Sequence, residues 1–126
     1  MIRPFLVLFP FMLLACGAPT EQGASLAPAT FEGRLSEPGV QLIDARTPGE
    51  FAGGHLTDAT NLDWNGGQLE ATFHELDKTR PVLIYCASGR RSAAARDFLL
   101  DHGFKDVVDL QGGINAWAAA GKPLEN

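Results

Sequence analysis

A chain of 126 residues that is 45% hydrophobic has enough apolar content for one compact core and is too short for two ordinary domains. Its formal charge of −5 comes without a basic block, because lysine and arginine are spread singly except at Arg90 and Arg91, so no nucleic-acid footprint is expected. His74 and His102 have no cysteine or histidine partner at ligand spacing, and neither a metal nor a cofactor is expected.

The chain opens with Arg3, an apolar run from Phe5 to Leu14 broken by Pro10, then Ala15 and Cys16. Roughly ten apolar residues are too few to span a bilayer, which takes about 20, but they suit the hydrophobic region of a signal peptide. Leu13 to Cys16, LLAC, resembles the lipobox of bacterial lipoproteins, although Leu14 is larger than the residue usual there. The resemblance implies removal of residues 1–15, lipidation of Cys16, and a domain held on the periplasmic face of a membrane. Several acyl chains anchor firmly, because each buried methylene adds about 0.8 kcal/mol. Plain secretion after an ordinary cleavage is the alternative. Residues 16–27 are rich in Gly, Ala, Pro, Ser and Thr without apolar periodicity and read as a flexible tether, leaving 28–126 as the folded domain. Lipidation would prevent Cys16 from pairing, so Cys86 would be a lone thiol where thiols are usually oxidised.

Within the domain, helices are predicted over about 28–35, 48–52, 68–76, 92–102 and 114–120. Short apolar runs enriched in β-branched or aromatic residues predict buried strands at Val40, Leu42 and Ile43, at Val82 to Tyr85, and at Val107, Val108 and Leu110. The 92–102 helix is the clearest: Ala94, Ala95, Phe98 and Leu99 form an apolar stripe, and Gly103 is placed to end it. Strands alternating with helices predict an α/β fold, a small parallel sheet flanked by helices on both faces, with its ligand site at the carboxyl ends of the strands. Trp64 and Trp117 are expected to anchor the core.

Cys86 follows the strand Val82 to Tyr85, and the chain must curl through Ala87, Ser88 and Gly89 before the next helix. Such a curl turns backbone N–H groups toward one point and adds the positive end of a helix dipole, a nest that favours an anion. A cysteine held there has its pKa drawn from about 8.5 toward 3.5–7.5 and becomes a nucleophilic thiolate. The competing reading is a small buried hydrophobe at the end of a strand. The nucleophile reading makes two structural demands: main-chain donors aimed at the sulfur, and a path to it from water.

Three segments in order carry a family resemblance. CASGRRS from Cys86 closely resembles the active-site loop of rhodanese domains, LIDARTPGEFAGGHLTDATNLDW from Leu42 resembles the signature near their start, and LQGGINAW from Leu110 resembles their C-terminal signature. The resemblance implies that Cys86 takes sulfane sulfur from thiosulfate or a persulfide, holds it as a persulfide, and passes it to a thiophilic acceptor such as cyanide or a thiol. The amides of Ala87, Ser88, Gly89, Arg90, Arg91 and Ser92 would cradle the charge, with Arg90 or Arg91 attracting an anionic donor. Asp44, Arg46 and Glu50 would brace the active-site face, and His55 would pack or hydrogen-bond rather than move protons. Some thiosulfate-specific members carry a basic residue directly after the cysteine; Ala87 stands there and leaves donor preference open. Related cell-cycle phosphatases and arsenate reductases end a longer loop in the arginine of C-x5-R, and Ser92 at that place argues against phosphoryl chemistry. A monomer is expected. The alternative to an enzyme is a sulfane-sulfur carrier or sensing module that serves a partner protein without turnover.

Overall fold

The computed structural model describes residues 23–126; the expected signal peptide and the expected lipidation at Cys16 fall outside the described residues. Five parallel strands form one sheet: β1 (Ser25–Leu26), β2 (Gln41–Asp44), β3 (Thr60–Asn61), β4 (Val82–Tyr85) and β5 (Val107–Leu110), in the order β1-β5-β4-β2-β3. The helices are α1 (Pro28–Leu35), α2 (Pro48–Ala52), α3 (Gln68–Thr72), α4 (Arg90–Asp101) and α5 (Gly113–Ala119), with a 3-10 turn at Phe73–Glu75 after α3.

β4 is the middle strand and is buried along its whole length. Its side chains alternate with the pleat: Val82 and Ile84 join α4's Ala95 and Leu99 and α3's Leu69 on one face, while Leu83 and Tyr85 join α1's Phe31 and α5's Trp117 on the other. The alternation carries on past the strand, so Cys86 falls on the α4 face. Trp117 sets its ring edge-on to Phe31 at 6.3 Å and donates from Nε1 to the carbonyl of Pro123 at 2.9 Å. Trp64 is partly buried against Phe98, 5.5 Å between centroids.

Local chemistry sets the helix ends. The sequence TPGE opens α2 with a capping box, in which the Thr47 hydroxyl accepts from the Glu50 amide and the Glu50 carboxylate accepts from the Thr47 amide, with Pro48 as the first helical residue. α4 closes through Gly103 at φ +90, where the amide of Phe104 bonds the Leu99 carbonyl and that of Gly103 bonds the Leu100 carbonyl, a Schellman arrangement.

The structure corrects several expectations. Ser25 and Leu26, assigned to the tether, form β1 against β5, so ordered structure begins upstream of residue 28. Ser25 is held by its hydroxyl to Asp109 Oδ1 at 2.8 Å, and Arg96 reaches the same oxygen from α4 at 2.6 Å. Those bonds satisfy a buried carboxylate in the middle of an apolar strand. α4 starts at Arg90, two residues before the expected Ser92, because Gly89 at φ +108 turns the chain into the helix. Its buried stripe is Ser92, Ala95 and Leu99, whereas Ala94 is exposed. The third predicted helix breaks into α3 and the 3-10 turn.

Candidate active site

The chain from Cys86 to Ser92 links the carboxyl end of β4 to α4. The carbonyl of Cys86 accepts from the Ile114 amide at 2.8 Å, and that of Ala87 from the Asn115 amide at 3.1 Å. The first turn of α5 therefore occupies the outward carbonyls and leaves neighbouring amides turned inward. The Gly89 amide donates to Cys86 Sγ at 3.1 Å, and the Ser92 hydroxyl lies 3.4 Å from the same sulfur.

Close approach between loop and α5 explains the glycine pair in LQGGINAW. At Gly113, φ +59, a Cβ would stand 2.5 Å from the Cys86 carbonyl oxygen and nearer still to that of Ala87. Gly112, φ +76, would carry its Cβ into Ala116 at 2.6 Å. Gly112 caps the start of α5 and Gly113 is its first residue, so the pair lets the helix close onto the cysteine loop, a role not visible in the sequence.

Burial opposes ionisation of Cys86 most strongly. The Ser92 hydroxyl and the amides of Ser92, Gly89 and Ser88 outweigh it, and the thiol titrates below its ordinary value. The first structural demand of a nucleophile is met. The second is not met in this conformation: Cys86 is only 1% exposed, and two clefts of about 390 and 270 Å³ lie elsewhere, lined by residues such as Leu35, Glu37, Val40 and Thr57. Any reactant must pass between the loop residues to reach Sγ.

Arg90 is exposed at the rim, and no carboxylate partner is found for it among the described residues. Arg91 makes a bidentate pair with Glu50 of α2, at 2.7 and 3.0 Å. That pairing is the main reason the Glu50 carboxyl is drawn down to about 2, burial working against it and the Thr47 cap with it. After Glu50, the Cys86 thiolate adds to what holds the Arg91 guanidinium charged. Asp44 and Arg46 form a buried pair at 2.7 Å, completed by bonds from the Tyr85 hydroxyl to Asp44 Oδ2 at 2.6 Å and from Arg46 Nη2 to the Gly54 carbonyl at 2.7 Å. This pair fixes the end of β2 beside the loop. His55 stacks on Phe51 at 3.8 Å and approaches Glu125 at 3.5 Å, a packing role. His102 is exposed and bonds the Phe98 carbonyl through Nδ1. No group of three potential metal ligands occurs among the described residues.

The rhodanese-like domain model matches residues 27–120, a span that contains β2 through α5, with the cysteine loop between strand and helix. The chain belongs to the rhodanese-like family. It is 42% identical over 85 residues to a sulfurtransferase of Allochromatium vinosum, an alignment covering 68% of this chain and 78% of that one. It is 37% identical over 81 residues to the thiosulfate sulfurtransferase GlpE of Shewanella oneidensis, covering 64% and 78%. Among solved structures, a rhodanese-related protein from Thermoplasma volcanium superposes with a TM-score of 0.72 at 29% identity over 80% of this chain and 96% of that one. The rhodanese-like α/β fold is thereby established, and the named relatives place the chain in a family of sulfurtransferases.

Proposed function

We propose that this rhodanese-like protein is a sulfurtransferase with Cys86 as its nucleophile. The supporting observation is the convergence of the Gly89 amide and the Ser92 hydroxyl on Sγ, with a thiol whose ionisation is favoured despite burial. The Cys86 thiolate attacks the outer sulfur of thiosulfate; the S–S bond breaks, and sulfite departs with the bonding pair. The product is a Cys86 persulfide anion, cradled by the amides of the loop from Ala87 to Ser92. Cyanide or a thiolate then attacks the outer sulfur, and the Cys86 thiolate leaves with its electron pair. No proton has to move in either displacement, which suits a site with no titratable base within hydrogen-bond reach of Sγ among the described residues.

Asp44 and Arg46 keep the end of β2 in place, and Glu50 anchors Arg91. Arg90 is the rim cation for an anionic donor, and Arg90→Gln is expected to raise KM for thiosulfate severalfold in a steady-state assay; an unchanged KM removes that contact. We extend the proposal to location: a monomeric domain exported and lipidated at Cys16.

Exposure to thiosulfate followed by mass spectrometry tests the chemistry. A gain of one sulfur on the Cys86 peptide, absent in Cys86→Ser, is expected. Subsequent cyanide-driven turnover to thiocyanate marks an enzyme, whereas stoichiometric loading without turnover marks a carrier. Absence of any sulfur gain overturns both. The mass of the protein extracted from membranes reports the lipid.

A further inference from the structure

The two arginines of the loop are electrostatically unequal, and the inequality comes from another helix. Arg91 is held bidentately by Glu50 at 2.7 and 3.0 Å. Glu50 is in turn fixed by the cap of α2, accepting from the Thr47 amide at 3.3 Å and the Thr47 hydroxyl at 3.2 Å. Its negative charge is thus delivered to the Arg91 guanidinium in one geometry. Arg90, exposed at the rim, has no such neutralising partner among the described residues.

Building on the sulfurtransferase reading, we propose that Glu50 is a specificity-determining residue for the sulfur donor. By neutralising Arg91 it leaves Arg90 as the loop's uncompensated cation among the described residues, and so weights the site toward singly charged donors such as low-molecular-weight persulfides over dianions such as thiosulfate. Ala87 fits the same balance, since the position next to the cysteine adds no further cation.

Glu50→Gln is the informative variant. Glutamine serves a capping box as glutamate does, so α2 keeps its start while the charge is removed. The ratio of kcat/KM for thiosulfate to that for cysteine persulfide is expected to rise roughly fivefold, carried mainly by a lower KM for thiosulfate. A second arm needs no turnover: sulfate should protect Cys86 from iodoacetamide at roughly fivefold lower concentration in Glu50→Gln than in the natural protein. In the double variant Glu50→Gln with Arg91→Gln both gains should vanish, because they act through the freed guanidinium. A purely structural role for Glu50 would slow both donors alike and leave the ratio unmoved. An unchanged ratio with unchanged sulfate protection overturns the proposal, as does a gain that survives in the double variant. If the natural protein takes sulfur from neither donor, the sulfurtransferase reading fails, and the sulfate arm alone decides the charge-balancing role of Glu50.

Discussion

Asp44→Ala is expected to remove about 3–5 kcal/mol of folding stability, the range for breaking a buried ion pair from one side. Asp44 is fully buried, and its two carboxylate oxygens accept from the Arg46 amide, Arg46 Nε and Nη2, and the Tyr85 hydroxyl. Deleting the carboxylate strands the Arg46 guanidinium, only 6% exposed, with its bond to the Gly54 carbonyl and the Tyr85 ring 5.7 Å away. It also frees a phenol whose other bond is to the Leu56 amide. Domains of this size have about 5–15 kcal/mol in all, so urea denaturation should show the midpoint moved far toward zero. A loss under about 1 kcal/mol would mean that the network relaxes or hydrates, and that the end of β2 is not held as described. Arg46→Ala should be milder than Asp44→Ala, because the carboxylate it leaves keeps the Tyr85 hydroxyl and the backbone amide of residue 46.

Gly113→Ala should damage the site as much as the fold. A methyl group there collides with the carbonyls of Cys86 and Ala87, and φ +59 is unfavourable for alanine. Backbone strain and overpacking together amount to about 2–4 kcal/mol. The loop can yield only by moving away from α5, which gives up the bonds from Ile114 and Asn115 that orient its peptide planes. Its amides then lose their aim at Sγ. Iodoacetamide alkylation followed against pH should therefore give a midpoint below that of ordinary cysteine in the natural protein and a higher one in the variant, with sulfur loading reduced in parallel. Because Cys86 has its pKa depressed, the thiolate form is lost as pH falls through that lower midpoint, and loading should decline on the acid side only. A variant midpoint equal to that of the natural protein would show that α5 does not orient the loop.

The central architecture could be read from the sequence because burial imprints a pattern. Val82 to Tyr85 are apolar without interruption, as a strand covered on both faces must be, and the glycine ending α4 marks its own place. β1 and β3 left no such imprint. Each is two residues long, too short for any period, and β1 exists because of partners 84 residues away in β5. The same physics divides the site. A cysteine after a buried strand, followed by small residues and a helix, announces an anion nest. Which amides face the sulfur depends on where α5 places its first turn, and local sequence does not encode that. Arg90 and Arg91 look equivalent side by side; their difference is created by Glu50, 41 residues upstream of Arg91.

The 1% exposure of Cys86 makes reach, rather than intrinsic reactivity, the ranking rule for anything that meets this thiol. Slender reagents with a terminal reactive atom, a sulfane or a cyanide ion, need the loop to part by only a little. A disulfide flanked by bulky polypeptide must bring both of its neighbours to the same floor and is held off by shape. A thiol set beneath its own loop, out of reach of bulky oxidants, can stay reduced where one at the surface would quickly be consumed.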